Sequence, residues 1–155
     1  MKKVLFIASG GGHLEELLAL KSLFDECEYL LVSEKTPTTA YLKQRYKNVK
    51  YLKYGTIDHL LPYLFIFPFN IIRSLFIFLS FKPDAIVTTG THTAVPMCMI
   101  GHFFKKKVVF IETLANITTG TKAGRMVYKY VDKFIIQWPQ LKEVYPDSEY
   151  WGCIF

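Results

Sequence analysis

The sequence predicts an α/β fold in which a parallel sheet is wound with helices on both faces. Short apolar runs alternate strictly with segments of helical period, which is the first observation behind this expectation. The second is the character of the runs. Ala85-Ile86-Val87 and Val108-Val109-Phe110-Ile111 are short, β-branched and apolar throughout, as strands covered on two faces are. The third is the passage from Val4-Leu5-Phe6-Ile7-Ala8 through Ser9-Gly10-Gly11-Gly12-His13 into a helical pattern that begins at Leu14. A strand that runs through small residues into a helix N-terminus is a ready site for an anion.

Taken in order, strands are expected near 3–8, 28–32, 49–53, 84–89, 107–112 and 133–137. Helices are expected near 13–24, 37–46, 60–80, 93–104 and 121–131. In the first helix Leu14, Leu17, Leu18 and Phe24 share a face, with Lys21 opposite. Thr91 or Thr93 caps the helix that follows the fourth strand, and Pro96 suits its first turn. The result is a Rossmann-like, doubly wound sheet. No repeat, low-complexity tract or linker divides the chain, so residues 1–155 read as a single domain, long enough to bury a core.

The chain is 51% hydrophobic and 16% aromatic, richer in apolar residues than an ordinary soluble domain. Some apolar surface is therefore expected to meet a membrane or a partner. The formal charge of +6 suits anionic lipid, phosphorylated ligands or nucleic acid alike and selects none of them. Cys27, Cys98 and Cys153 are scattered, odd in number and without metal or redox spacing, which fits a reduced, cytosolic chain. Lys2-Lys3 precede only five apolar residues before the glycines. That is a buried first strand rather than a secretory segment.

Ligands of such a sheet bind beyond the carboxyl ends of its strands. The segments there are Ser9–His13, Ser33–Lys35, Thr88–Thr93 and Glu112–Thr119. Hydroxyls and free amides dominate them, which suits sugar and phosphate. Read as a dinucleotide fingerprint from Gly10, the first loop places Gly12 correctly but Glu15 where a third glycine belongs. A dinucleotide is thereby disfavoured, although Glu34 stands where a ribose-binding acid would. Thr89-Gly90-Thr91-His92 forms a second strand–glycine–helix junction. It fails as a Walker loop, since no Gly-Lys-Ser/Thr follows. His13 and His92 face one rim. His59 and His102 lack such a context, and no histidine pair has metal spacing. Glu112 ends the fifth strand, where it would orient a hydroxyl or pair with Arg125 or Lys122. Trp138 ends the sixth as an aromatic platform or a packing residue.

Residues 60–81 hold sixteen apolar residues in 22. Length alone permits a membrane span. Three features oppose one. Pro68, Asn70 and Arg73 sit at the middle, and an arginine there costs roughly 3 kcal/mol or more. Pro68 interrupts the helical ladder. A single crossing would also separate the strands on either side of it, which belong to one sheet. A helix lying in the membrane interface meets all three objections. Lys43, Arg45, Lys47, Lys50, Lys53 and Lys82 lie nearby in sequence to attract anionic headgroups. Burial against the core or a partner is the other reading.

Ser9-Gly10-Gly11-Gly12-His13, Thr89-Gly90-Thr91, Ile111-Glu112-Thr113 and Asp132-Lys133-Phe134-Ile135-Ile136-Gln137-Trp138-Pro139 occur in this order, and together they resemble the Alg14-like oligosaccharide biosynthesis proteins. The resemblance covers essentially the whole chain. It extends to the N-terminal half of MurG, the lipid-linked peptidoglycan glycosyltransferase. It implies the acceptor-side, GT-B N-terminal-type half of a split glycosyltransferase, whose bacterial members serve capsule and exopolysaccharide assembly. An Alg13-like partner subunit would carry the nucleotide sugar, and the acceptor would be a sugar on a polyprenyl diphosphate. No cofactor, metal or nucleic acid is implied.

On this reading Ser9, Gly10, Gly11, Gly12, Thr89, Gly90, Thr91 and His92 bind the acceptor and its diphosphate. His13 and Glu112 are the candidate catalytic residues, with His13 deprotonating the acceptor hydroxyl or binding phosphate as imidazolium. Phe65, Phe69, Arg73, Phe76, Trp138 and Trp151 are expected to contact membrane or partner. The protein would sit peripherally on the cytoplasmic face of the plasma membrane. Eukaryotic members of the family carry an N-terminal anchor, whereas this chain opens on its first strand. Attachment is then expected through 60–81 or a partner, and the apolar end at Phe155 is expected to dock that partner. A non-catalytic recruiter of the donor-binding subunit is the alternative. A small dinucleotide-dependent oxidoreductase using Glu34 is a more distant one.

Overall fold

The computed structural model of the chain describes residues 1–55 and 60–154; His59 and Phe155 lie outside them. Seven parallel strands form one sheet. They are β1 (Lys3–Ile7), β2 (Glu28–Lys35), β3 (Val49–Lys53), β4 (Ala85–Thr88), β5 (Lys107–Ile111), β6 (Lys133–Ile136) and β7 (Glu149–Tyr150). Their order is β3-β2-β1-β4-β5-β6-β7. The winding reverses beside β1, so the loops after β1 and β4 part there and leave a crevice.

The six expected strands are present. β7 is additional: a two-residue strand after a Pro-Asp turn leaves no periodic trace in the sequence, yet pairs Glu149 with Ile135 and Tyr150 with Ile136.

Alternation along the strands makes two cores, because successive side chains point to opposite faces. Leu5 and Ile7 join Val32, Leu52, Ile86, Val108 and Phe110 on one face. This face is covered by α3 (Leu60–Phe81), α4 (Val95–Phe103) and α5 (Lys122–Val127), which contribute Ile77, Phe78, Met97 and Val127. Phe6 and Ala8 join Leu31, Val49 and Tyr51 on the other, beneath α1 (Gly12–Ala19) and α2 (Leu42–Arg45).

Apart from α3, the helices are shorter than periodicity suggests. The first gives way to a 3₁₀ turn at Lys21–Asp25. The expected helix at 37–46 is a 3₁₀ turn, Pro37–Thr39, followed by the four residues of α2. Thr36 and Thr39 cap that turn reciprocally, and the Thr39 hydroxyl donates to the Glu34 carbonyl at 2.5 Å. These local bonds compete with a continuous helix.

Helix α3 matches the helix expected at 60–80 and runs on to Phe81, with Pro68 inside. Its inward face is partly polar. The Asn70 amide donates to the Lys53 carbonyl at 2.8 Å and accepts from the Lys53 N–H at 2.9 Å. Arg73 Nε donates to the Tyr51 carbonyl at 2.6 Å. The helix thereby covers the outer edge of β3, a strand edge that would otherwise invite pairing. Outward, Leu61, Leu64, Phe65, Phe69, Ile72, Phe76 and Leu79 form an exposed apolar stripe. Phe65 is 80% exposed and Phe76 68%. This is the reverse of an ordinary surface helix.

Candidate functional site

The crevice beside β1 is built from backbone. Gly11, with φ +77°, forms the N-cap of α1, and the Leu14 and Glu15 N–H groups turn back onto its carbonyl. That positive φ is a conformation other residues resist. A Cβ added at Gly11 or Gly12 would meet nothing within 4 Å, so the loop faces open space at the helix entrance. Among the described residues, the N–H groups of Gly11, Gly12 and His13 have no acceptor. Orphan donors at a helix N-terminus carry positive partial charge.

His13 is locked across the crevice. Its Nδ1 lies 2.8 Å from the Thr89 carbonyl oxygen, and the Thr89 hydroxyl donates to the His13 carbonyl at 2.6 Å. A carbonyl only accepts, so Nδ1 carries the proton, and in the neutral ring Nε2 keeps its lone pair. Nε2 has no hydrogen-bond partner among the described residues. Gly90, with φ +98°, lets the ring approach: a Cβ there would sit 3.4 Å from His13 Nδ1. The Ser9 N–H meets the Gly90 carbonyl at 3.4 Å, so the glycine loop and the Thr89–Thr91 segment are joined directly.

His92 takes a different place. Its Nε2 contacts the Gly55 carbonyl at 3.2 Å, and its ring meets Tyr63 of α3 edge-on at 5.6 Å. It links the rim to the start of the long helix. Glu34 lies next to it, 4% exposed, and accepts from the Thr93 hydroxyl at 2.5 Å. Burial raises its carboxyl above the ordinary value, while the Thr93 hydroxyl, His92 and the Gly10 backbone pull it down. So placed, Glu34 ties the glycine loop to the turn after β4 rather than presenting a free carboxylate to a ribose.

Glu112 is fully buried. Its carboxylate accepts from the Thr113 N–H at 3.0 Å, the Thr121 N–H at 2.9 Å, the Thr121 hydroxyl at 3.1 Å and the Tyr145 hydroxyl at 2.8 Å. The Gln137 amide donates to its carbonyl at 3.0 Å. It does not pair with Arg125 or Lys122; it organises the 113–121 loop over the rim. Trp138 is half-buried and donates to the Leu114 carbonyl at 2.7 Å. Trp151 is exposed beside β7, with Lys133 Nζ 5.4 Å from its ring centre.

Sequence reasoning passed over Glu16. It is buried on α1, one turn after His13, and accepts from the Thr113 hydroxyl at 2.8 Å and the Leu114 N–H at 3.0 Å. Its position between Leu14 and Leu17 on the apolar face was the available signal. Among the described residues no cluster of His, Cys, Asp and Glu is arranged to hold a metal.

Known proteins share this architecture. Over 97% of its length the chain is 28% identical to the rat "UDP-N-acetylglucosamine transferase subunit ALG14", covering 82% of that protein. It is 25% identical to the Schizosaccharomyces pombe subunit alg14, with 99% of the chain and 83% of that protein matched. Acinetobacter baumannii MurG superposes with a TM-score of 0.80 at 18% identity, over 99% of this chain. The UDP-GlcNAc 2-epimerase of Methanocaldococcus jannaschii gives 0.69 at 12%, over 92%. The chain spans under half of these two solved structures, 46% and 41%. The family model described as "Oligosaccharide biosynthesis protein Alg14 like" matches residues 4–154. The chain belongs to the Alg14-like family of oligosaccharide biosynthesis proteins.

Proposed function

We propose that this chain is the acceptor-binding, membrane-associating subunit of a two-component glycosyltransferase. Its partner, an Alg13-like chain, would supply the nucleotide-sugar site. The relatives' shared description as subunits of a UDP-N-acetylglucosamine transferase supports a partnered role and a UDP-sugar donor. The acceptor is a sugar on a polyprenyl diphosphate, in capsule or exopolysaccharide synthesis.

The observation that carries this reading is the pairing of the open Gly11–Gly12 amides with His13, whose ring is held by Thr89. The amides and the dipole of α1 hold the acceptor diphosphate. Ser9, Gly10, Thr91 and His92, on the loops that border the crevice, would shape it for the attached sugar. His13 Nε2 takes the proton of the acceptor hydroxyl as its oxygen attacks the anomeric carbon of the donor. The bond from that carbon to the nucleoside diphosphate breaks, and the diphosphate departs with the electron pair. Glu112 acts by holding the loop above the site.

The outer stripe of α3 supports peripheral attachment, on the cytoplasmic face where nucleotide sugars are available. α3 is long and apolar enough to cross a bilayer by length and composition. It connects β3 and β4, however, and both belong to one sheet. A single crossing would part those strands, which favours a helix lying along the interface.

His13→Ala in the co-expressed complex tests the catalytic role. Turnover should fall about 100-fold or more, with partner binding intact. A fall in kcat at unchanged acceptor KM identifies the base, whereas a rise in KM alone would identify a phosphate ligand. Undiminished turnover would leave this chain as a recruiter of its partner.

A further inference from the structure

We propose that the sheet edge beside β3 holds one anionic phospholipid, with its phosphate in a basic bowl and a chain in an adjoining apolar trough. The proposal rests on the membrane-associating role above and names a ligand for it.

Two cavities meet at this edge. The trough, about 470 Å³, runs between α3 and β3 and is lined by Phe69, Ile72, Phe76 and Ile77. The bowl, about 800 Å³, gathers Lys35, Lys43, Lys50 and Arg73. Lys50 and Arg73 line both, so the cavities share a wall of cations, and among the described residues no carboxylate lines either. Two of the cations are held in place before any ligand arrives. Arg73 Nε is fixed on the Tyr51 carbonyl, and Lys43 Nζ stands 5.4 Å from the Tyr51 ring centre. Among the described residues none of the four bowl cations forms an ion pair; the pairs present are Lys3–Glu28, Lys107–Asp132 and Lys133–Glu149. A basic pocket continuous with an aromatic trough matches a phosphate ester attached to a hydrocarbon chain.

The edge also disfavours a protein strand as occupant. Asn70 and Arg73 already take the Lys53 N–H, the Lys53 carbonyl and the Tyr51 carbonyl, groups that an added strand would need. A free anion would fill only the bowl. Phe69, Ile72 and Phe76 belong to the exposed outer stripe of α3 as well as to the trough, so a lipid can enter sideways from the bilayer that the stripe contacts.

The test titrates the full chain with dihexanoyl-phosphatidylglycerol below its micellar concentration, and separately with glycerol phosphate and with inorganic phosphate. The short-chain lipid should bind saturably, one per chain, and at least about tenfold more tightly than either soluble phosphate, since buried methylenes add affinity. Lys43→Gln/Lys50→Gln should weaken it about thirtyfold, at the usual contribution of two cations near a lipid phosphate. Lys21→Gln/Lys129→Gln removes the same charge at two exposed positions outside both cavities and should bind as wild type. Equal losses in both double variants, equal affinity for glycerol phosphate, or no saturable binding would overturn the site.

Flotation with phosphatidylcholine vesicles, with and without phosphatidylglycerol, separates this result from the fate of the membrane reading. Short-chain lipid binding without vesicle binding leaves the site standing and defeats membrane attachment. Vesicle binding that depends on Phe65 but not on Lys43 and Lys50, with no short-chain lipid bound, defeats the site and leaves attachment standing.

Discussion

His13 owes its proposed chemistry to an oxygen 76 positions away in the chain, the Thr89 carbonyl that fixes its tautomer. The sequence shows that a histidine follows three glycines. It does not show which ring nitrogen is free, because that depends on the β1–β4 pairing across the crevice. Glu112 was legible as a rim residue because it ends an apolar strand. Its partners are Thr121, at the start of an expected helix, and Tyr145, in a segment with no period, and nothing in either pattern puts them beside it, so its role in holding the loop was not. Burial and the Glu112 charge push the Tyr145 hydroxyl above its ordinary value, so it stays a donor. Tyr145→Phe removes a charge-assisted bond and should cost about 1.5–3 kcal/mol of stability in urea unfolding.

Glu34 gives a pH test at the same scale. Its carboxyl is raised from 4.5 in the fold, with burial the largest cause. The folded chain then binds that proton more tightly than the unfolded chain, and its contribution to stability falls as pH rises from about 4.5 through the raised value. Glu34→Gln lacks this linkage. The thermal midpoint of wild type minus that of the variant should therefore be greatest at and below about pH 4.5 and decline above it. A difference that does not change with pH would contradict the assignment.

Among the elements, α3 shows best what patterning reveals and what it hides. Its length and apolarity are plain in the sequence, and Asn70 and Arg73 stand out there as misfits for a membrane span. Their use became visible only with β3 in place: they satisfy the backbone of an edge strand. Asn70→Leu removes two such bonds, at about 1 kcal/mol each or more where groups are left buried and unpaired. It should lower the thermal midpoint and promote self-association, read by light scattering. Helix α4 depends on a different detail. A Cβ at Gly101 would lie 2.5 Å from Ile86 Cδ1 and 2.8 Å from Val108 Cγ2, so Gly101 lets the helix settle onto β4 and β5. Gly101→Ala should cost about 1–3 kcal/mol through overpacking, despite alanine's better helix propensity. The breaks in the helix expected at 37–46 were less legible, since capping by Thr36 and Thr39 is a matter of local geometry rather than period.

At the scale of the molecule, the proposed chemistry and the proposed attachment occupy different surfaces of one sheet. The crevice opens at the carboxyl ends of β1 and β4, while the apolar stripe of α3 runs along the flank. Phe65→Asp and Phe76→Asp should release the protein from liposomes while leaving its circular dichroism unchanged; persistent binding would reject the interfacial helix. The sheet's winding was legible from β-α alternation. The proposed completion of the site by a second chain followed from the resemblance that the quoted motifs carry, and its support is the family.

Reconstitution of transfer tests that claim most directly. The chain and a donor-binding partner would be assayed alone and together with UDP-N-acetylglucosamine and a polyprenyl-diphosphate-linked sugar. Product should form only when both chains are present, and His13→Ala should abolish most of it. Equal turnover by the partner alone would contradict an acceptor-side half-site in this chain.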